Sequence, residues 1–339
     1  MFGKRSPGPK ARLDGSGART IALLVLLGVL WGITFPMVRR GVAAGASPFF
    51  LVALDFGLAA AAAFAIAAAT GDRAVDPPSG RYLAGSMLLG GLLIGVNNLL
   101  MFWGLQFTTG RVAAVVYATV PLLAVLAGLF LGYRERLGAA TFLALSLGLV
   151  GVLILELTAS GSGVITNDWA IPSIVGGASA QAIGTVLIVR YRPRGESRFG
   201  LAAQFGGASI AGACALLLFP GTVYLSPTLA VIGGVFYVAL FSGVAGYTVF
   251  FELTRRSGAV GTSLVMYLTP IVGLLFGALV LSEAVGSTEI AGLGLILGAL
   301  FLYEVSWRGR GRRDAGRPES SSRAPGPPPA PDQANQRPG

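Results

Sequence analysis

The chain has 339 residues, of which 54% are hydrophobic and 12% are charged, and its formal net charge is +10 at pH 7. A mean hydropathy of +0.73 excludes an ordinary soluble globular protein. The absence of histidine and the presence of a single cysteine exclude a histidine proton relay, an intramolecular disulfide and a thiolate zinc site.

Long apolar stretches, separated by short polar joints, fill the chain from Thr20 to Trp307. The hydrocarbon core of a bilayer is about 30 Å thick, and a helix needs roughly 20 apolar residues to cross it. The polar segments 1–18 and 308–339 are rich in Gly, Pro, Ser and Arg, and we expect both to be disordered. The sequence predicts an all-α polytopic membrane protein with ten transmembrane helices, at 20–38, 47–69, 82–107, 109–132, 138–157, 170–189, 200–220, 228–252, 258–281 and 287–306.

Basic residues concentrate at the joints on one side of this arrangement. The joints after even-numbered spans carry ten arginines, whereas those after odd-numbered spans carry three, Arg39, Arg40 and Arg111. Lysine and arginine accumulate on the cytoplasmic side of membrane proteins. We therefore expect both termini to be cytoplasmic, in a multi-pass protein of the cytoplasmic (inner) membrane. Charges placed at span ends also argue against a nucleic-acid partner.

The two halves of the sequence repeat one pattern. Each has a Tyr-to-Pro segment, then a Glu followed three residues later by Gly, then a second Glu at the end of a span: Tyr117–Pro121, Glu135, Gly138 and Glu156, and Tyr267–Pro270, Glu283, Gly286 and Glu304. Five spans in each half is an odd number, so the second half enters the membrane from the opposite side. We predict two inverted five-helix repeats over 19–158 and 168–307, an arrangement typical of secondary transporters.

The segments that carry this repeat also carry a family resemblance. LLVLLGVLWGITFPMVRRGV, SPFFLVALDFGLAA, and the pair TVPLLAVLAGLFLGYRERLG and LTPIVGLLFGALVLSEAVG resemble the EamA-type repeats of the drug/metabolite transporter superfamily. The resemblance covers about residues 20–306, with Leu54-Asp55-Phe56 standing where the family usually has Leu-Arg-Phe. It implies movement of small metabolites across the cytoplasmic membrane without ATP, through a cavity among the first, third, fourth, sixth, eighth and ninth spans.

Polar and aromatic side chains inside the spans form the predicted binding cavity. Amides and phenols can orient a polar substrate while presenting apolar area. Proline frees the carbonyl four residues back, so two mid-span prolines predict kinks that line the transport path. The alternative for each of these groups is packing or hydrogen bonding between helices. The candidate substrate-binding residues are Trp31, Thr34, Asn97, Asn98, Tyr117, Pro121, Gln181, Tyr247, Tyr267 and Pro270.

Asp55 is the candidate proton-coupling residue. It lies eight residues into its predicted span, which is roughly 12 Å deep at 1.5 Å per residue. An acid at the centre of a membrane helix costs about 2.5–3.5 kcal/mol, so it should face a cavity or a partner. A carboxyl that changes protonation there could couple transport to protons, and the alternative is a structural acid within the helix bundle.

These observations predict a secondary active transporter that moves a small organic metabolite (amino-acid-like, nucleobase-like or drug-like) by alternating access, with proton coupling or exchange. A membrane channel and a membrane-embedded enzyme are the alternatives. The enzyme is disfavoured because the sequence has no histidine, no carboxylate pair and no metal-binding motif. We expect no cofactor or metal, with the substrate and the lipid bilayer as partners, and the sequence leaves a homodimer open.

Cysteine labelling tests the predicted topology. In a Cys214→Ala background, a cysteine at Ser197 or at Asn335 should react only with a thiol reagent admitted to the cytoplasm, because both positions lie on the arginine-rich side. A cysteine at Ser162 should react from outside. Reaction of all three from one side would contradict the inverted repeat.

Overall fold

Within the residues that the computed structural model describes (16–70, 79–133, 135, 137–158, 165–191, 197–221, 223–224, 226–280 and 286–315), every regular element is helical. This confirms the predicted all-α class, since backbone polar groups in hydrocarbon must bond within the protein. Two segments, π1 (Gly91–Gly95) and π2 (Tyr237–Gly246), are π-helical. The α-helices are α1 Ser16–Gly32, α2 Thr34–Ala43, α3 Pro48–Thr70, α4 Gly80–Gly90, α5 Val96–Gly104, α6 Gly110–Tyr117, α7 Val120–Phe130, α8 Ala139–Thr158, α9 Ala170–Tyr191, α10 Arg198–Leu218, α11 Leu229–Phe236, α12 Tyr247–Ser263, α13 Val265–Val280 and α14 Ser287–Ala315.

Helix length and composition identify the membrane-spanning stretches. Seven stretches, named at the end of this paragraph, qualify by themselves. The pair α6 and α7, bent by 40°, makes an eighth if it crosses as a unit. Ala139–Leu155 and the 16-residue α13 are shorter. The protein is therefore a multi-pass membrane protein, and ten spans remain a prediction. Seven stretches of the described chain are long and apolar enough to cross: Gly17–Ala43, Pro48–Thr70, Gly80–Gly104, Ala170–Tyr191, Arg198–Leu218, Leu229–Ser263 and Ser287–Ser306.

Helix extends into both predicted tails. α1 begins at Ser16, and α14 continues to Ala315. The remainder of the tails lies outside the described residues, as do Glu283 and the labelling site Ser162.

The α-helical path is interrupted at similar places in the two halves. π1 ends at Gly95 in the third predicted span, and π2 ends at Gly246 in the eighth. α6 gives way to α7 directly before Pro121, where the sequence predicts a kink. The π-helical segments were not predicted, because nothing in the local residue types distinguishes them from ordinary apolar helix. Such segments often mark functional sites.

Glycines allow the closest helix contacts. A Cβ on Gly207 of α10 would lie 1.8 Å from the backbone oxygen of Met87 on α4, and a Cβ on Gly90 would lie 2.1 Å from the backbone oxygen of Gln204. Between hydrocarbon-solvated helices no hydrophobic force drives association, so small residues that let backbones approach supply much of the packing energy. The α4–α10 contact therefore depends on the missing side chains.

One carboxylate joins the two halves. Oε1 of Glu135, between α7 and α8, accepts a hydrogen bond from the backbone N–H of Ala259 at 2.6 Å. Gly258 precedes this N–H with φ 74° and ψ −170°, which interrupts α12, and a Cβ there would lie 2.6 Å from Oε1. A carboxylate at the start of a helical segment satisfies an orphan N–H and complements the helix dipole. Burial, together with the charge of Glu135, raises the pKa of nearby Tyr133 to about 12.

Gly207→Ala should destabilise the protein by about 1–3 kcal/mol, because the added methyl overpacks the α4–α10 contact. Gly298→Ala is the matched control, since a Cβ on Gly298 meets nothing within 4 Å and alanine favours helix. Melting temperatures in detergent should fall for the first variant and stay level or rise for the second. Equal melting temperatures for Gly207→Ala and the wild type would contradict this packing argument.

Candidate functional site

A central cavity with about 490 Å³ of empty space, counting its open mouth, lies between helices from both halves of the chain. Its walls come from α1, α2, α3, α5, α6, α9, π2, α12 and α13. The cavity is lined by Trp31, Thr34, Phe35, Phe56, Asn97, Asn98, Met101, Tyr117, Gln181, Val238, Ser242, Gly243, Tyr247 and Met266.

The break between α1 and α2 forms one wall. Trp31 Nε1 donates to the backbone oxygen of Ser242 at 3.2 Å, and Thr34 Oγ1 lies 2.9 Å from Ser242 Oγ. A Cβ on Gly246 would lie 2.7 Å from Trp31 Nε1, so glycine at this position admits the indole. The end of α1 is thereby held against π2, which belongs to the other half of the chain.

Three polar side chains from α5, α6 and α9 form a hydrogen-bonded chain. The Tyr117 hydroxyl donates to Asn97 Oδ1 at 2.7 Å, and Asn97 Nδ2 donates to Gln181 Oε1 at 3.1 Å. Gly177 on α9 permits this arrangement, because a Cβ there would lie 2.8 Å from the Tyr117 hydroxyl. Asn98 is the next residue on α5, and its Nδ2 donates to the Ile94 backbone oxygen at 2.9 Å.

Aromatic rings cover much of the remaining wall. The ring centroids of Trp31 and Tyr247 are 5.4 Å apart, and those of Phe35 and Tyr117 are 5.6 Å apart. These separations are typical of favourable aromatic pairs. The cavity therefore combines flat apolar faces with amide and hydroxyl groups.

Tyr267, a predicted substrate-binding residue, lies away from the cavity. Its hydroxyl donates to the backbone oxygen of Leu145 at 2.7 Å, and its ring lies over Gly148, so it packs against α8 and does not line the cavity. The reason is register. Tyr117 lies four residues before its proline, whereas Tyr267 lies three before Pro270, and one residue rotates a side chain by about 100° around a helix. Met266 has the four-residue spacing, and it lines the cavity.

Pro121 and Pro270 also lie outside the cavity lining. Pro121 is the second residue of α7, directly after the bend, and Pro270 lies inside α13. Both prolines shape their helices, and the residues one turn earlier, Tyr117 and Met266, face the cavity.

Asp55 lies beside the cavity without lining it. It is 2% exposed, and its Oδ1 has no hydrogen-bond partner among the described residues. The next residue, Phe56, does line the cavity. A buried acid with an unpaired oxygen is costly, so a structural role alone does not account for it well.

The structure brings together in the cavity seven of the side chains that the sequence predicts there: Trp31, Thr34, Asn97, Asn98, Tyr117, Gln181 and Tyr247. The rest of the lining was not predicted from the sequence and comprises Phe35, Phe56, Met101, Val238, Gly243 and Met266, together with Ser242. Helical spacing could have found some of these residues, since Met101 is one turn after Asn97. Apolar residues in an apolar span carry no other signal.

Comparisons with known proteins agree with one another. The model of the "EamA-like transporter family" matches residues 18–157 and again 168–304. The "Uncharacterized inner membrane transporter YedA" of Escherichia coli K12 is 28% identical over 287 residues, covering 83% of this chain and 89% of YedA. "Protein PecM" of Dickeya dadantii is 26% identical over 240 residues, covering 67% of this chain and 75% of PecM.

A solved structure shares the fold. The crystal structure of another protein, 20% identical in sequence, superposes with a TM-score of 0.68 over 87% of this chain and 98% of the other. Together, the family match over both halves and the named transporters among the similar proteins show that the chain belongs to the EamA-like transporter family.

Proposed function

We propose that this protein is a secondary active transporter that moves a small organic metabolite across the cytoplasmic (inner) membrane by alternating access. The observation that carries the proposal is the central cavity, which both family-matched halves build together. Asn97 and Tyr117 come from the first half, and Gln181 and Tyr247 from the second. A site at the interface of two repeats is exposed to either side in turn when the repeats rock against each other.

Two inverted five-helix repeats, with both termini cytoplasmic, are part of this proposal. The matching positions of π1 and π2, each ending at a glycine in the same predicted span of its half, support the repeat. Tyr117 and Met266 support it as well, because each lies four residues before a proline in its half of the chain and both line the cavity.

The Glu135 contact has a place in the same mechanism. Glu135 lies in a joint that the arginine pattern assigns to the cytoplasmic side, Ala259 lies at the start of the ninth predicted span on that same side, and their hydrogen bond ties the first half to the second. If the halves rock apart on that side, this bond must break. Glu135 thus belongs to a contact that closes the cytoplasmic side of the cavity.

A channel and an enzyme predict different behaviour of the solute. A channel conducts down a gradient without exchange, and an enzyme returns a chemically altered product. Counterflow in proteoliposomes separates them: vesicles loaded with a solute found by thermal-shift screening should transiently concentrate the same labelled solute from outside, without ATP. Equilibration with no overshoot would contradict alternating access, and recovery of an altered solute would favour the enzyme.

Tyr117→Phe should weaken the apparent affinity in this counterflow assay by about five- to 150-fold, because it removes a hydroxyl that lines the cavity, and a hydrogen bond to the solute lost there costs about 1–3 kcal/mol. Tyr267→Phe is the matched control, since its hydroxyl bonds the Leu145 backbone away from the cavity. It should lower the melting temperature and leave solute affinity unchanged. The opposite pattern, with affinity lost only in the Tyr267 variant, would remove Tyr117 from the site.

Proton coupling through Asp55 is a further part of the proposal. Asp55→Asn should abolish accumulation driven by a pH gradient while leaving counterflow largely intact, because asparagine keeps the shape of the side chain and cannot release a proton. Asp168→Asn, a change at an exposed position in the loop before α9, is the control and should behave as the wild type. Normal gradient-driven accumulation by Asp55→Asn would assign Asp55 to structure alone.

A further inference from the structure

Among the described residues, the amide groups of the cavity have hydrogen-bond donors left unpaired, whereas their oxygens already accept bonds. In the chain from Tyr117 through Asn97 to Gln181, each oxygen of the two amides accepts a hydrogen bond. Gln181 Nε2 donates to none of the described residues, and Asn97 Nδ2 uses one of its two N–H groups. A primary amide has two N–H donors. The spare capacity at this end of the cavity is therefore a set of neutral N–H donors.

Ionised side chains are missing from the same walls. Of the described residues that line the cavity, none is Asp, Glu, Lys or Arg. A charge taken from water into such a place without a counter-charge carries a large desolvation penalty, and a zwitterion carries two. Asp55 is buried and is not part of this lining, so the walls themselves disfavour ions of either sign more than they disfavour neutral polar solutes.

The aromatic walls add a preference of shape. Trp31 and Tyr247 form one ring pair and Phe35 and Tyr117 another, and all four rings line the cavity. Flat rings stack on such surfaces, and offset or edge-to-face contacts between rings are favourable. A planar solute buries more area here than a branched aliphatic one of equal size.

We propose that the cavity binds an uncharged, planar ring compound whose carbonyl oxygen or ring nitrogen accepts hydrogen bonds from Gln181 Nε2 and Asn97 Nδ2. This names the substrate class of the site and rests on the proposed function only in taking this cavity as the place where the solute binds. Neutral heteroaromatic lactams and amides fit the description, and zwitterionic amino acids do not.

Four bicyclic probes of similar size test the class with the purified full-length protein. They are 1-methyl-2-quinolone (neutral, acceptor only), indole (neutral, donor only), quinoline-2-carboxylate (anion) and 1-methylquinolinium (cation). The quinolone should raise the melting temperature most, and the two ions should leave it unchanged. No shift with the quinolone at its solubility limit, or a larger shift with either ion, would overturn the inference. A larger shift with indole would also overturn it, because the amides would then present their oxygens.

Variants at Gln181 assign the donor. Gln181→Leu should weaken quinolone binding by about five- to 150-fold, since the acceptor then loses its partner. Gln181→Glu keeps an acceptor for Asn97 but has no donor, so it should also lose the quinolone and should gain binding of 1-methylquinolinium. Gln106→Leu is the control, because Gln106 Nε2 bonds the Trp103 backbone outside the cavity. Wild-type quinolone affinity in a folded Gln181 variant would overturn the assignment.

The outcomes also separate this inference from the proposed function. Quinolone binding that depends on Gln181, with no counterflow of any bound solute, would sustain the binding class and contradict transport. Counterflow of an ion, without quinolone binding, would contradict the class and sustain transport.

Discussion

A bilayer core offers no hydrogen-bond partner to a backbone N–H or C=O, and the rest of this structure depends on that constraint. It explains why every regular element of the described chain is helical, and it favours departures from the α-helix where other groups of the protein are within reach. The break between α1 and α2, the bend between α6 and α7, and π2 all border the central cavity, where side chains and backbone groups of other helices are within reach. Irregular backbone and polar side chains therefore occur together.

Close approach of the helices follows from glycine. Gly177 leaves room for the Tyr117–Asn97 hydrogen bond, and Gly246 leaves room for the Trp31 indole. Neither residue can bind a solute with a side chain, yet each fixes the position of one that can. The arrangement of donors and rings in the cavity is therefore set by the packing of the helices behind it. The same packing leaves Asp55 buried next to the cavity, with an oxygen that no described residue satisfies.

The two halves of the chain meet through polar contacts that differ in their surroundings. Trp31 and Thr34 contact Ser242 inside the membrane region, among buried residues. Glu135 contacts the backbone N–H of Ala259 at the start of a helical segment, in a hydrogen bond that is only partly buried. A movement that opens the side of Glu135 and keeps the Ser242 contacts would hinge about the cavity, which is the motion that alternating access requires.

The sequence by itself determined the class of the protein, because hydropathy and helix length respond to the bilayer and not to tertiary detail. It also found Tyr117, Asn97 and Gln181, since a polar group inside an apolar span needs a partner or a cavity. It could not distinguish Tyr267 from Met266. Both lie on one turn of α13, and only the rotation of that helix against α8 decides that the phenol bonds Leu145 while the thioether faces the cavity. Likewise, only the tertiary structure decides that the Gln181 amide N–H groups stay unused among the described residues, because the direction of a hydrogen-bonded chain depends on which side chains end it.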